Sequence, residues 1–312
     1  EEALIHPSDP VSKWIPEFAE MQVAVLRDPT DEDISPPFVS PTNIPEHRLV
    51  PADREITVHD ILTHTSGIAS GGLGSAISED AIMWLDTRTS LATNVPKYGD
   101  IILDFQPGDR WRYSPATALD IIARIIEIES GLTFDEFVKR RIFEPLGMND
   151  TWWNVPEEYQ DRLIDIVGSD IATPPNSAIY DTSHSTYFGA SYGLKSTAGD
   201  YLRFEQMLVN GGELFGNRLL KPQTIELMAS NKVGDLFNAM PGVSEQGFGY
   251  TVATTEESNE RRSKGAFGWG GALGTRSWSD PAEELTGVIM IQQPVPAVQR
   301  DFEDAVHQAL ID

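Results

Sequence analysis

The chain has 312 residues, 40% of them hydrophobic, and sets 23 Lys and Arg against 48 Asp and Glu, a formal net charge of −25 at pH 7. That excess repels phosphate backbones and anionic lipid and argues against nucleic-acid and membrane partners, while the apolar fraction is too high for a disordered acidic chain. There is no cysteine, which removes disulfides, thiolate catalysis and zinc–thiolate sites, and no apolar run approaches a membrane span.

Residues 27 to 54 are rich in Pro and acidic side chains and read as an extended excursion. Thr57-Val58-His59-Asp60 then reads as a helix start, with Thr57 as N-cap and Asp60 at N3. Ile61 and Leu62 continue its apolar face, and Ser66-Gly67 close it. Leu119, Ile122, Ile125 and Ile126 recur at helical spacing with Asp120, Arg124 and Glu127 opposite, which predicts a helix over 117–129 stopped by Ser130-Gly131. Thr133, with Glu136 at the capping-box position, starts another that Pro145 ends. A further helix starts at Thr197, with Asp200 in its first turn, and runs through Met207.

Beyond residue 246 the texture changes. Gly247 to Ala253, Gly274 to Ser279 and Gly287 to Gln292 read as strands, with turns at Asn259 and Asp280-Pro281, and 300 to 311 suit a closing amphipathic helix. Helices first and an antiparallel sheet last imply an α+β architecture in one structural unit. Residues 1–240 form a mostly helical lobe, and 241–312 supply antiparallel strands and a C-terminal helix.

Two stretches carry candidate chemistry. In Pro107-Gly108-Asp109-Arg110-Trp111-Arg112-Tyr113-Ser114-Pro115 a turn presents Tyr113 just ahead of a helix, where a phenolic oxygen can point into a cleft. Taken alone, a tyrosine is more often a packed aromatic. In Phe267-Gly268-Trp269-Gly270-Gly271-Ala272-Leu273-Gly274-Thr275 the glycines mark close backbone approach, and an edge-strand N–H such as that of Ala272 can donate to a developing oxyanion. The plain alternative is a glycine-rich hairpin arm with Trp269 in the core. Arg276 either meets an anionic substrate group or pairs with Asp280 or Glu283. His64 reads as structural, bonded near a helix end, and the six histidines show no metal spacing.

Several segments together resemble the serine β-lactamase/penicillin-binding-protein superfamily, in its class C-like esterase branch. They are Asp9 to Phe18, Ile56 to Gly67 (ITVHDILTHTSG), Tyr113-Ser114, Phe143 to Met148, Gly193 to Tyr201 and Trp269-Gly270-Gly271, in the family's order along nearly the whole chain. The resemblance implies a β-lactamase/transpeptidase-like fold and a small-molecule ester or amide substrate. It also implies a Ser-x-x-Lys nucleophile helped by Tyr113, an oxyanion held by the N–H of Ala272, and a pocket involving Trp269, Gly270, Gly271, Ser114 and Arg276. No cofactor or metal is needed.

The chain departs from that pattern in two ways. It contains no Ser-x-x-Lys; Ser12-Lys13, Ser230-Asn231-Lys232 and Ser263-Lys264 have the wrong spacing. The nucleophile is therefore expected upstream of Glu1, and these residues alone are expected to fold poorly, for want of two sheet strands and the nucleophile helix. Pro115 stands where many members have Asn, and Trp269 where they have Lys, which favours ester over β-lactam hydrolysis. Other readings are a β-lactamase or D-amino-acid peptidase of the same fold, a non-catalytic member, or an α/β-hydrolase. The last would use Ser191 in Gly189-Ala190-Ser191-Tyr192-Gly193, with Asp301 or Asp304 and His307.

Overall fold

The computed structural model of the protein describes residues 2–27, 38–79, 89–115, 117–164 and 185–310. Its contacts divide the chain into two compact units, Glu2–Phe137 with His184–Gly193, and Val138–Ser183 with Leu194–Asp312.

In the first unit, strand β1 (Gln22–Leu26) pairs antiparallel with β2 (His47–Pro51), Val23 opposite Val50 and Leu26 opposite His47. The end of the expected excursion is thus a strand; residues 28–37 lie outside the described residues. Helix α1 (Val58–Leu62) starts as its residues dictate. The Thr57 hydroxyl accepts from the Asp60 N–H, and the Asp60 carboxylate accepts from the Thr57 N–H. Helix α2 (Leu73–Ile77) is held by the buried Asp104, whose carboxylate accepts from the N–H and hydroxyl of both Ser70 and Ser75. Helix α3 (Leu91–Asn94) follows.

Helix α4 (Ala118–Ser130) ends on Gly131, whose φ of 69° is the left-handed conformation that glycine adopts without a Cβ penalty. Its fully buried Ile121, Ala123 and Ile125 belong to one core cluster with Val23, Ile61 and Leu103. Each of the two isoleucines contributes about 1.5–3 kcal/mol by leaving water.

Asp120 departs from the helical pattern. Periodicity puts it on the polar side with Arg124 and Glu127, yet it is 0% exposed. Segment 185–193 covers it. The Tyr187 phenol donates to Asp120 Oδ2 at 2.5 Å, the Ser191 N–H donates to Oδ1 at 2.8 Å, and Tyr98 Oη lies 3.0 Å from Tyr187 Oη. Burial pushes the Asp120 pKa up to about 6, against the opposing pull of those bonds.

Because the folded pKa lies above the unfolded one, the native state takes up a proton as pH falls through 6. It gains stability down to about pH 4, and the charged form carries a penalty of roughly 3 kcal/mol above pH 6. Denaturant titrations at pH 4.5 and 7.5 should therefore show the wild type gaining on Asp120→Asn at the lower pH. A gap that does not move between the two would contradict this account.

In the second unit, α5 (Phe134–Val138) leads through a π turn, Lys139–Phe143, into α6 (Glu144–Leu146). Pro145 does not end this run. It sits inside the last turn, where the wider turn upstream accommodates its ring, and Gly147 at φ 66° is the stop. Helix α7 (Ala198–Val209) has the expected cap, the Thr197 hydroxyl accepting from the Asp200 N–H, and extends past Met207. The short hairpin β3 (Glu213–Leu214) and β4 (Asn217–Arg218) and helix α8 (Pro222–Ala229) follow.

Five strands then form one antiparallel meander in sequence order: β5 (Gln246–Phe248), β6 (Ala253–Thr255), β7 (Phe267–Gly270), β8 (Arg276–Asp280) and β9 (Leu285–Ile289). The single strand expected over 247–253 is two strands joined by a bend. Gly274 and Thr275 belong to a turn, and the last strand begins at Leu285. The closing helix α9 (Pro296–Gln308) starts earlier than expected, with Pro at its first position, where no N–H is required.

The boundary expected at residue 240 is not where the chain divides. Helix α7 packs on β8 and β9, and the Ser279 hydroxyl donates at 2.8 Å to the buried Glu205 carboxylate of α7. That contact assigns residues 194–240 to the sheet-bearing unit, leaving 2–137 and 184–193 as the other.

Candidate active site

Tyr113 is carried by a loop fastened to the HTSG phrase. The Asp104 N–H donates to Gly67 O at 2.8 Å, Gly108 N–H to Thr65 O at 2.8 Å, and Arg112 N–H to His64 O at 3.0 Å. Glycine is required at two of these points. A Cβ on Gly67 (φ 77°) would lie 2.6 Å from Phe105 O, and one on Gly108 (φ 93°) 2.6 Å from the Arg54 guanidinium. His64 takes a left-handed conformation (φ 57°) without being glycine, a strain of about 1 kcal/mol or more.

That strain places the ring. His64 is 2% exposed, its Nδ1 accepts the Ser114 N–H at 3.3 Å, and it meets the Tyr113 ring edge-on at 4.7 Å and the Trp111 ring at 6.1 Å. Burial lowers its pKa to about 4, so the imidazole is neutral at neutral pH, as an accepting Nδ1 requires. Ser114 is buried, its hydroxyl 3.1 Å from that of Thr117, the residue that opens α4. Ser114 therefore braces the loop from inside, while Tyr113 keeps 39% of its surface in solvent. Periodicity does not assign His64 this bracing role; the HTSG phrase was the available signal.

The second group lies in the other unit. β7 is the middle strand of the sheet, with β8 pairing along all of it and β6 along Phe267 and Gly268 only. A Cβ on Gly268 would sit 2.3 Å from Ser277 O, so the glycine admits the neighbouring backbone. Gly270 opposite Arg276 is the last rung. Beyond it the Gly271 N–H donates to Thr275 O at 2.8 Å and the Gly274 N–H to Gly271 O at 3.0 Å, closing a turn with Ala272 and Leu273 at its tip.

Ala272 is exposed, and among the described residues its N–H has no hydrogen-bond acceptor. Trp269 is half-buried, edge-on to Phe248 at 5.3 Å, while Gly270 and Gly271 are exposed. Arg276 pairs with neither Asp280 nor Glu283. Its Nε lies 2.6 Å from Oε1 of Glu303, which also accepts from Arg262 at 3.0 Å.

The structure thus groups Tyr113 and Ser114 in one unit, and Trp269, Gly270, Gly271, Ala272 and Arg276 in the other. The alternative nucleophile at Ser191 lacks its elbow. Residues 185–189 are not a strand, no helix follows before Ala198, and the Ser191 N–H is spent on Asp120. Asp304, one of the two acids open to that reading, is ion-paired to Arg261. No helix among the described residues is long and apolar enough to cross a membrane.

The Beta-lactamase family model matches residues 1–310. The chain belongs to the Beta-lactamase family. An uncharacterised Mycobacterium tuberculosis protein, MT1414, is 30% identical over 308 residues, which cover 91% of this chain and 70% of that protein. The lovastatin esterase of Penicillium rubens is 27% identical over 79% of this chain and 66% of its own length, and the esterase EstB of Burkholderia gladioli 26% over 90% and 69%. Among solved structures, unliganded simvastatin synthase (LovD) of Aspergillus terreus aligns with a TM-score of 0.73 at 20% identity, covering 99% of this chain and 79% of that one. The fold is therefore the β-lactamase/penicillin-binding-protein-like α+β fold that the sequence led us to expect. The family and its relatives place the protein among hydrolases.

Proposed function

We propose that the protein is a carboxylesterase working through an acyl-serine intermediate. Tyr113 serves in proton transfer, the Ala272 N–H is an oxyanion donor, and the nucleophile is a Ser-x-x-Lys outside these 312 residues. The observation that carries this reading is the Ala272 N–H. It is exposed, has no acceptor among the described residues, and stands at the tip of a turn anchored to a central strand. A donor that costs no reorganisation is what a developing oxyanion needs.

In the proposed reaction the serine Oγ gives its proton to the tyrosine–lysine pair and bonds to the ester carbonyl carbon. The carbonyl oxygen becomes an anion that accepts the Ala272 N–H. The C–O bond then breaks, and the alcohol leaves with the proton. Water repeats the sequence and releases the acid.

Trp269 beside the turn offers apolar surface where a lysine would meet a carboxylate, and Pro115 removes an amide, so the reading favours apolar esters over β-lactams. The relatives named as esterases support the same preference.

The test treats the full-length protein with a fluorophosphonate, followed by peptide mass spectrometry, and compares p-nitrophenyl ester with chromogenic β-lactam turnover. An adduct on the serine of a Ser-x-x-Lys, with the ester turned over faster, is the expected result. An adduct on Ser191, or none at all, would sink the proposal.

A further inference from the structure

We propose that one face of the C-terminal helix α9, through Gln299 and Glu303, is the positioning element that aims the Ala272 N–H. This rests on the esterase reading given above and names who holds its oxyanion donor. Among the described residues, two side chains of α9 hold the turn Gly271–Gly274 and the start of the strand it runs into. The Gln299 side-chain amide donates to Gly274 O at 2.8 Å, and Glu303, one helical turn later on the same face, holds the Arg276 guanidinium at 2.6 Å. One attachment is on the last residue of the turn, the other on the rung where the turn leaves the sheet.

Glu303 is itself fixed, since it is 7% exposed and accepts from Arg262 at 3.0 Å. The Arg262 guanidinium lies over the Trp278 ring at 5.5 Å, and Phe302 of α9 meets the same ring edge-on at 5.8 Å. The helix is thus locked to β8, and its polar face to the turn that follows β7. The turn has little slack at Gly274, since a Cβ there would lie 2.5 Å from Gln293 O. A turn with an exposed Ala272 at its tip and, among the described residues, no other side-chain hydrogen bond to its backbone depends on these two for its direction.

Gln299 and Glu303 touch no reacting atom. Their effect is on the angle of the donor, which matters only once the oxyanion forms. Gln299→Met keeps the volume and loses the donor, whereas Gln299→Lys keeps a donor of similar reach.

With p-nitrophenyl esters and the full-length protein, Gln299→Met is expected to lower kcat about tenfold, a fraction of what loss of a whole oxyanion donor costs, with KM unchanged. It should weaken a phosphonate transition-state analogue by the same factor and leave binding of the product acid unaltered. Gln299→Lys should recover most of the loss. Glu303→Gln, which retains a carbonyl acceptor for Arg276, should move kcat in the same direction by less.

Unchanged kcat in Gln299→Met, or a change confined to KM, overturns the positioning role while leaving the esterase reading intact. An unsubstituted protein without esterase turnover removes that reading, and this one with it.

Discussion

Replacing Tyr113 with Phe should lower kcat for p-nitrophenyl ester hydrolysis by the full-length protein about 10²–10⁴-fold, the usual span for a lost general acid–base group. The melting temperature should barely move. The ring contact with His64 is one that a phenylalanine ring keeps, and the loop's three backbone bonds to residues 64, 65 and 67 do not use the hydroxyl. A Tyr113→Phe enzyme with unchanged kcat would remove this residue from the reaction, and a large fall in melting temperature would show that the hydroxyl serves the fold.

The second large effect is on stability. Asp60→Ala should cost about 3 kcal/mol, the lower end for breaking a buried pair, because Arg54 keeps 45% of its side chain in solvent and is not stranded. For a chain of 312 residues that corresponds to roughly 5 °C in Tm. Asp60 is 1% exposed and accepts from Arg54 at 2.6 and 2.8 Å, from the Thr57 N–H at 2.9 Å and hydroxyl at 2.6 Å, and from the Thr65 hydroxyl at 3.3 Å. It therefore holds together the start of α1, the HTSG phrase and the arginine over Gly108, which is the scaffold under Tyr113.

Burial by itself would raise the Asp60 pKa, but the bonds from Arg54 and Thr57 outweigh it and hold the carboxyl below its ordinary value. With a lowered folded pKa, its contribution is fully present above the ordinary carboxylate range. It is lost as pH falls through the folded value, the reverse of the sign at Asp120. Thermal scans of wild type and Asp60→Ala from pH 7 downward should converge only in strong acid. Curves that stay parallel would refute the assignment.

Whatever depends on atoms within about one turn was legible from residues alone. The Thr57–Asp60 and Thr197–Asp200 caps and the Gly131 stop are bonds or conformations settled by neighbours in the chain. So was the family, because its phrases are local strings in a set order. Tyr113 and the Trp269-Gly270-Gly271-Ala272 stretch could be singled out for the same reason.

Distant segments decided the rest. Asp120 reads as a surface residue until Tyr187 and Ser191 arrive to cover it. Phe267 and Gly268 read as an edge until β6 and β8 pair with them on both sides. Arg276 has two nearer carboxylates in sequence, yet its partner is Glu303 on α9, and the split at 137/138 with the return of 184–193 has no mark in composition. Hydrogen-bonded caps close over a few residues, so sequence by itself determines them. Burial, strand order and ion pairing are contests among all segments that reach the same place, and only the tertiary structure decides which of them does.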